Sequence, residues 1–223
     1  MTEVWPPFSP DAVVFDLDGL LVDSEPLWGL AEERVVLDLG HPWDPSIPAL
    51  LLGQGPEGAA AMLAARLGGV HADEVSRRML AAAVAEFESG VKAQPGAHDL
   101  VRSLGGRLPL ALATNSRRVL AELALTSAGF DGCFQVVVCA EDVRAPKPAP
   151  DPYHTACARL GADPVRSVAF EDSPVGVASA RAAGLWVVGC LRFLVRRLKA
   201  LTPWSRAWST YPSTVDELQR VTG

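Results

Sequence analysis

Residues 13–19 read VVFDLDG, an apolar run that ends on two aspartates, Asp16 and Asp18, and a glycine. The three apolar residues are typical of a strand that is buried on both faces of a parallel sheet. In parallel sheets, ligands bind in the crevice outside the carboxyl ends of the strands, which is where the two aspartates follow. This stretch therefore predicts a parallel sheet whose first strand ends at a functional site.

Asp16 and Asp18 are two residues apart, so in extended chain their side chains point to the same side. Gly19 then allows the backbone to turn away sharply. Two neighbouring carboxylates repel each other unless a cation or a shared proton holds them together. The pair is therefore consistent with a site for a hard metal such as Mg²⁺, and also with an acidic turn that has no ligand.

Further along the chain, apolar runs suited to strands alternate with helical patterns of about 10 to 15 residues. Consecutive parallel strands need a crossover, which is usually a helix. The alternation therefore predicts an α/β fold with a doubly wound parallel sheet. The predicted strands are 108–113, 134–139, 167–170 and 186–189, and the predicted helices are 97–104, 117–128, 151–160 and 174–183.

The stretch between the first strand and residue 90 shows only helical and loop patterns. Its first helix is predicted to begin near Ser24, and its longest helical pattern covers 72–87. We therefore expect two domains. Residues 1–26 and 91–223 would form an α/β core, and residues 27–90 would form a small all-helical insertion.

Composition limits the classes of partner. The chain has 223 residues, 49% of them hydrophobic, which is enough for a core domain and an insertion. Its formal charge of -6 and its pI near 5.2 argue against a nucleic-acid surface. Neither a signal-peptide pattern nor an apolar run of membrane-spanning length is present in the sequence. We expect a cytoplasmic monomer with no nucleic-acid or membrane partner.

Polar residues that follow the later strands are expected to face the same crevice as the two aspartates. Thr114 and Asn115 could bind a phosphate through a hydroxyl and backbone N–H groups, or Thr114 could cap a helix. Lys147 lies among prolines and could place one positive charge on a phosphate, or it could be a solvated loop residue. Glu171 and Asp172 could complete a magnesium site or cap the next helix.

Three stretches resemble one known family of proteins. They are residues 14–25 (VFDLDGLLVDSE), 147–153 (KPAPDPY) and 170–177 (FEDSPVGV). Together with Thr114, they are similar in order to the four motifs of the haloacid dehalogenase superfamily, and most closely to its β-phosphoglucomutase-like subfamily. The resemblance covers residues 13–189 and weakens inside the helical insertion. It implies a phosphatase with a helical cap, because members that act on carbon–halogen bonds lack the second aspartate.

The resemblance also implies roles for the acidic residues. Asp16 would be the nucleophile that forms an aspartyl-phosphate, and Asp18 the general acid and base. Mg²⁺ would be held by Asp16, Asp172 and the backbone carbonyl of Asp18. Glu171 would orient Lys147 or a water molecule without touching the metal.

The same resemblance assigns the substrate phosphate to three residues. Thr114, the backbone of Asn115 and Lys147 would bind its oxygens, which makes Thr114 and Lys147 catalytic residues beside the two aspartates. The partner would be a small phosphorylated metabolite.

Two departures from the mutase members favour hydrolysis. Those members carry a histidine in the cap hinge, where this chain has Trp28, and an arginine in a cap loop that corresponds to residues 53–55. No lysine or arginine occurs between Arg34 and Arg66. We therefore expect hydrolysis of a neutral sugar or polyol phosphate. A sugar-phosphate isomerase is the alternative, and a non-catalytic binder of phosphorylated metabolites is a third possibility.

Two other parts of the chain leave alternatives open. Arg77 and Arg78 could reach into the site or lie on a solvated helix face. Residues 191–223 combine basic and apolar residues with tryptophans. We expect a surface helix and a loop that pack against the core, with a membrane-surface or partner contact as the other possibility.

Overall fold

The computed structural model of the chain describes residues 6–51 and 55–190. Short 3-10 turns lie at Ala140–Asp142 and Pro164–Arg166. In chain order the elements are β1 (Ala12–Phe15), β2 (Val22–Asp23), α1 (Glu25–Asp38), α2 (Ile47–Leu51), α3 (Pro56–Leu67), α4 (Ala72–Glu88), β3 (Lys92–Ala93), α5 (Ala97–Gly105), β4 (Leu110–Ala113), α6 (Arg118–Ser127), β5 (Val136–Val138), α7 (Asp151–Leu160), β6 (Ser167–Glu171), α8 (Pro174–Ala182) and β7 (Trp186–Gly189).

The central sheet has five strands in the order β5, β4, β1, β6, β7. All neighbouring strands are parallel, and Phe15 of β1 lies opposite Leu112 on one side and Phe170 on the other. After β1 the chain adds β4 and β5 on one side of it and then β6 and β7 on the other, so the strand order reverses at β1. Such a reversal opens a crevice at the carboxyl end of the central strand. The predicted doubly wound α/β fold is confirmed.

Both faces of the sheet are covered, which explains why β1 is apolar throughout. Val14 packs with residues of α7 and α8, whereas Val13 and Phe15 pack on the opposite face with residues of α5 and α6. The alternation follows the two-residue period of an extended chain. The Phe15 ring stacks on Phe170 with centroids 5.2 Å apart. Every side chain of β1 is fully buried.

The four helices α1–α4 lie between β2 and β3. Helix α4 packs against α1 and α3, and Trp28 of α1 meets Phe87 of α4 edge to face at 5.7 Å. The strands β2 and β3 pair in an antiparallel ribbon where the chain leaves the sheet and returns to it. Neither the ribbon nor α2 was predicted, because elements of two to five residues are too short to show a period.

Strand and helix bounds differ from the predictions by only a few residues. The strand predicted at 108–113 begins at Leu110, and the one predicted at 134–139 is limited to Val136–Val138. The expectations for residues 191–223 and for residues 53 and 54 of the cap loop lie outside the described residues. Within the described part of the chain, no helix combines the length and apolar character needed to cross a membrane.

Candidate active site

A cavity of about 370 Å³ opens at the carboxyl ends of β1, β4 and β6. One wall is formed by the sheet edge and the other by the helices α1–α4. Glu171 is fully buried and is not in the cavity wall. The predicted site residues that line the cavity are Asp16, Asp18, Thr114, Asn115, Lys147 and Asp172.

Lys147 places its ammonium between two carboxylates. The Nζ atom donates to Asp16 Oδ1 at 2.7 Å and to Glu171 Oε1 at 2.5 Å, and the residue is only 6% exposed. The alternative of a solvated loop lysine is therefore wrong. Burial by itself would lower the pKa of Lys147, but Asp16 and Glu171 raise it above its ordinary value. The side chain thus holds a fixed positive charge beside Asp16.

The loop that carries Lys147 is held by the side chain of Asn115. Its Oδ1 accepts from the Lys147 backbone N–H at 2.8 Å, and its Nδ2 donates to the Lys147 carbonyl at 3.2 Å. The sequence indicated only a backbone role for Asn115. This two-point pairing joins the end of β4 to the proline-rich loop, so it positions the ammonium.

Asp18 is held by hydroxyl groups from two parts of the chain. Its Oδ1 accepts from Ser24 Oγ at 2.6 Å, and its Oδ2 accepts from Ser116 Oγ at 2.6 Å. Thr114 Oγ1 lies 3.4 Å from the same Oδ2. The sequence did not indicate these roles for Ser24 and Ser116. Such a network fixes the orientation of a carboxyl group that can take up or release a proton.

The helix-capping alternatives for Thr114 and for the acidic pair Glu171 and Asp172 are wrong. Helix α6 is preceded by Arg117, and Thr114 Oγ1 instead accepts from the Ser116 backbone N–H at 3.0 Å. Helix α8 is capped by Ser173, whose Oγ accepts from the Gly176 N–H at 3.0 Å. The polar groups of Thr114 and the acidic pair therefore serve contacts other than helix caps.

Three carboxyl groups form a cluster that fits a hard cation. Oxygens of Asp16, Glu171 and Asp172 all lie within 4.8 Å of one another. Burial, followed by the nearby carboxylates, raises the pKa of Asp172 to about 9; burial also dominates the rise in the pKa of Asp16 to about 7. Asp172 Oδ1 is buried with no hydrogen-bond partner among the described residues. Carboxylate oxygens are the ligands that Mg²⁺ prefers.

Glu171 is fixed by neighbours that the sequence did not indicate. Tyr153 donates its hydroxyl to Glu171 Oε1 at 2.6 Å, and Ser173 Oγ donates to Oε2 at 3.1 Å. Burial, together with Glu171 and Asp16, raises the pKa of Tyr153, so the hydroxyl keeps its proton. The Tyr153 ring also faces the ammonium of Lys147, with 5.0 Å from Nζ to its centroid. Tyr153 therefore positions both members of the Lys147–Glu171 pair.

Two glycines leave room for the carboxylates. Gly19 has φ +81°, and a Cβ atom on it would overlap the carboxylate of Asp172. A Cβ atom on Gly176 would overlap the carboxylate of Glu171. The backbone at both positions therefore approaches an acidic side chain more closely than any other residue type allows.

We expect Gly176→Ala to lower the turnover rate by about 100-fold, because displacing Glu171 by even 1 Å moves the Lys147 ammonium. Alanine is favoured over glycine within a helix, so a loss of helix propensity does not account for the expected effect. Steady-state rates measured beside those of Gly106→Ala provide the check, since a Cβ atom on Gly106 meets open space at φ -77°. Equal turnover rates for the two variants would contradict the role of Glu171 in positioning the Lys147 ammonium.

The helical wall of the cavity is apolar and acidic. Helix α1 contributes Glu25, Trp28 and Glu32. Arg77 and Arg78 form ion pairs with Glu74 on the exposed face of α4, so the solvated alternative for them is correct. Among the described residues that line the cavity, the basic side chains are Lys147 and Arg117, both from the sheet side. The remaining helical lining residues are Gly29, Pro48, Leu51, Pro56, Ala59, Ser76, Met79 and Leu80.

Comparison with known sequences identifies relatives over the same region. Residues 10–184 match the family described as haloacid dehalogenase-like hydrolases. The chain is 35% identical to validoxylamine A 7'-phosphate phosphatase of Streptomyces hygroscopicus subsp. limoneus, over 79% of this chain and 83% of that protein. It is 33% identical to fructose-1-phosphate phosphatase YqaB of Escherichia coli, over 78% and 92%, and 34% identical to hexitol phosphatase B of the same species, over 77% and 79%.

Solved structures share the architecture. A phosphate complex of CbbY from Rhodobacter sphaeroides superposes with a TM-score of 0.71 at 27% identity, covering 80% of this chain and 84% of that one. A β-phosphoglucomutase homologue from Thermotoga maritima superposes with a TM-score of 0.64 at 29% identity, covering 79% and 83%. The sheet and helices described above are therefore the shared fold of these proteins.

Proposed function

Because the chain belongs to the haloacid dehalogenase-like hydrolase family and is a phosphoric monoester hydrolase, we propose that it hydrolyses a small sugar or polyol monophosphate through an aspartyl-phosphate. The observation that carries this proposal is the convergence of Asp16, Asp18 and Lys147 on one cavity. The relatives named for fructose 1-phosphate and hexitol phosphates support the substrate class.

In the proposed first step, Asp16 attacks the phosphorus atom in line with the leaving oxygen. Asp18, oriented by the hydroxyls of Ser24 and Ser116, gives its proton to that oxygen. In the second step Asp18 takes a proton from the attacking water, which then releases phosphate from Asp16. The two carboxyl groups thus have separate roles, and their different contacts support that division.

Binding of the substrate phosphate is proposed for groups at the ends of β4 and the proline-rich loop. The Thr114 hydroxyl, the Asn115 backbone N–H and the Lys147 ammonium would contact the equatorial oxygens of the phosphoryl group. Lys147 is already charged and fixed by Glu171. It therefore needs no reorganisation when negative charge accumulates on the phosphoryl group.

We propose that Asp16, Asp172 and the backbone carbonyl of Asp18 hold Mg²⁺. The unpartnered Oδ1 of Asp172 and the short separations within the carboxylate cluster support this assignment. When bound, the ion supplies positive charge that lessens the repulsion between the Asp16 carboxylate and an anionic substrate. Glu171 would remain outside the ligand set because its oxygens accept from Lys147, Tyr153 and Ser173.

We further propose that residues 27–90 act as a cap over a core of residues 1–26 and 91–223. The helices of this segment supply one whole wall of the cavity. Closure of such a wall would exclude bulk water and commit the substrate to reaction.

A phosphate-release screen tests the proposed function. Purified protein would be incubated with hexitol phosphates, fructose 1-phosphate and glucose 1-phosphate, each with and without glucose 1,6-bisphosphate. We expect phosphate release that does not require the bisphosphate. Interconversion of glucose 1- and 6-phosphate that is faster than phosphate release from every compound would replace this proposal with the isomerase alternative.

We expect Mg²⁺ to support activity and Ca²⁺ to support little or none, because Ca²⁺ is larger and takes more ligands. The measurement is the initial rate of phosphate release after dialysis against chelator, followed by titration with each ion. Full activity in excess chelator would contradict the assignment of a metal to Asp16 and Asp172.

A further inference from the structure

Glu32 is a buried acidic residue that the proposed reaction does not use. It lies on α1, is 7% exposed and lines the cavity. Its Oε2 atom is buried and has no hydrogen-bond partner among the described residues. A buried carboxyl oxygen without a partner destabilises the folded protein, because it has lost its hydrogen bonds to water and gained none in return. Such a group is expected where a ligand supplies the missing hydrogen bond.

The surroundings of Glu32 define what the ligand can be. Glu25 and Trp28 of the same helix line the cavity beside it. Burial and then the charge of Glu25 raise the pKa of Glu32 to about 7. The helical wall of the described cavity contributes two acidic side chains and no basic one. This wall suits a group that donates hydrogen bonds and disfavours one that carries negative charge.

We propose that Glu32 is a specificity-determining residue that accepts a hydrogen bond from a hydroxyl on the leaving group of the substrate and excludes substrates with a second anionic group there. This inference rests on the proposed function for the location of the phosphate. The phosphate lies against Lys147 on the sheet side, so the rest of the substrate extends toward α1. A carboxylate or second phosphate at that end meets the buried carboxyl group of Glu32, and the described residues of the helical wall include no basic side chain.

A matched pair of ligands tests whether the site prefers a hydroxyl group to a second anionic group at the end of the substrate that faces α1. Glucitol 6-phosphate and 6-phosphogluconate share a six-carbon chain and a phosphate, and differ at carbon 1, which is a hydroxymethyl group in one and a carboxylate in the other. Dissociation constants would be measured by calorimetry in the Asp16→Asn background, where the ligands are not consumed. We expect glucitol 6-phosphate to bind at least about tenfold more tightly, a difference of about 1.4 kcal/mol.

Glu32→Gln keeps the shape and a hydrogen-bond acceptor but removes the negative charge that Glu32 carries above its pKa of about 7, so the dissociation constants are compared at a pH above that value. We expect it to reduce the ratio of the two dissociation constants at least about fivefold, mainly through tighter binding of 6-phosphogluconate. The control is Glu33→Gln, a neighbour on the same helix that does not line the cavity. It should leave the ratio unchanged. A purely structural role for Glu32 would instead lower the unfolding temperature of Glu32→Gln and leave the ratio as it is.

The outcomes distinguish this inference from the proposed function. An unchanged ratio in Glu32→Gln, or failure of the Asp16→Asn protein to bind glucitol 6-phosphate, overturns the role of Glu32 even if the wild-type protein releases phosphate. A reduced ratio supports the role of Glu32. Absence of phosphate release by the wild-type protein would then count against the proposed hydrolysis alone.

Discussion

Asp16→Asn should lower the turnover rate by at least a thousandfold and leave the fold intact. Asparagine has nearly the volume of aspartate and can still accept from Lys147, but its amide oxygen is a poor nucleophile. A thousandfold loss corresponds to about 4 kcal/mol of activation free energy. The check is the steady-state rate of phosphate release, with the unfolding temperature as evidence that the variant is folded.

The matched control for this change is Asp23→Asn. Asp23 is exposed and lies outside the cavity. The turnover rate of Asp23→Asn should therefore equal that of the wild type. Mass spectrometry of acid-quenched protein should also detect a phosphoryl group on the wild type and none on Asp16→Asn. A folded Asp16→Asn protein that retains more than about a thousandth of the wild-type rate would rule out covalent catalysis by Asp16.

Lys147→Met should abolish turnover and also destabilise the protein by about 3 to 5 kcal/mol in the absence of metal. Methionine preserves the apolar stem but removes the ammonium that faces Asp16 and Glu171. Removing one partner of a buried ion pair leaves the other charges uncompensated, which accounts for the expected cost. Denaturant unfolding in excess chelator measures the free energy, and phosphate release measures the rate.

An exposed lysine provides the control for this second change. Lys92 lies in β3 on the surface, and Lys92→Met should alter the unfolding free energy by less than about 0.5 kcal/mol. If Lys147→Met unfolds at the same denaturant concentration as Lys92→Met, the ammonium does not compensate the carboxylate cluster. Its proposed electrostatic role beside Asp16 would then be untenable.

The sequence predicted the sheet because buried parallel strands leave a strong local signal. The apolar runs before Asp16, Thr114 and Glu171 are continuous, and each is followed by a polar residue. These features can be recognised without knowing which residues from distant parts of the chain come into contact. The same reasoning placed the acidic residues at the carboxyl edge of the sheet, where the structure brings them together.

The contacts that hold the site together were not predictable in the same way. Ser24 and Ser116 are far apart in the chain but meet at Asp18, and Tyr153 of α7 meets Glu171 at the end of β6. A serine or tyrosine in the sequence carries no mark of such a partner. Glu32 gave no signal either, since a glutamate in a helix is ordinarily solvated. Its burial depends on how α1 packs against other elements, among them α4 and α2, and that packing is a tertiary property.

The β2–β3 ribbon has a consequence for how proteins of this architecture diversify. Because Val22 pairs with Ala93, the chain departs from and rejoins the sheet at adjacent points. A segment whose two ends lie side by side can be exchanged for another of different length without stretching the strands on either side. Recombination at this ribbon could therefore graft a new substrate-facing wall, including the position of Glu32, onto an unchanged set of reactive groups. Chimaeras joined at β2 and β3 offer a route to altered selectivity in the laboratory.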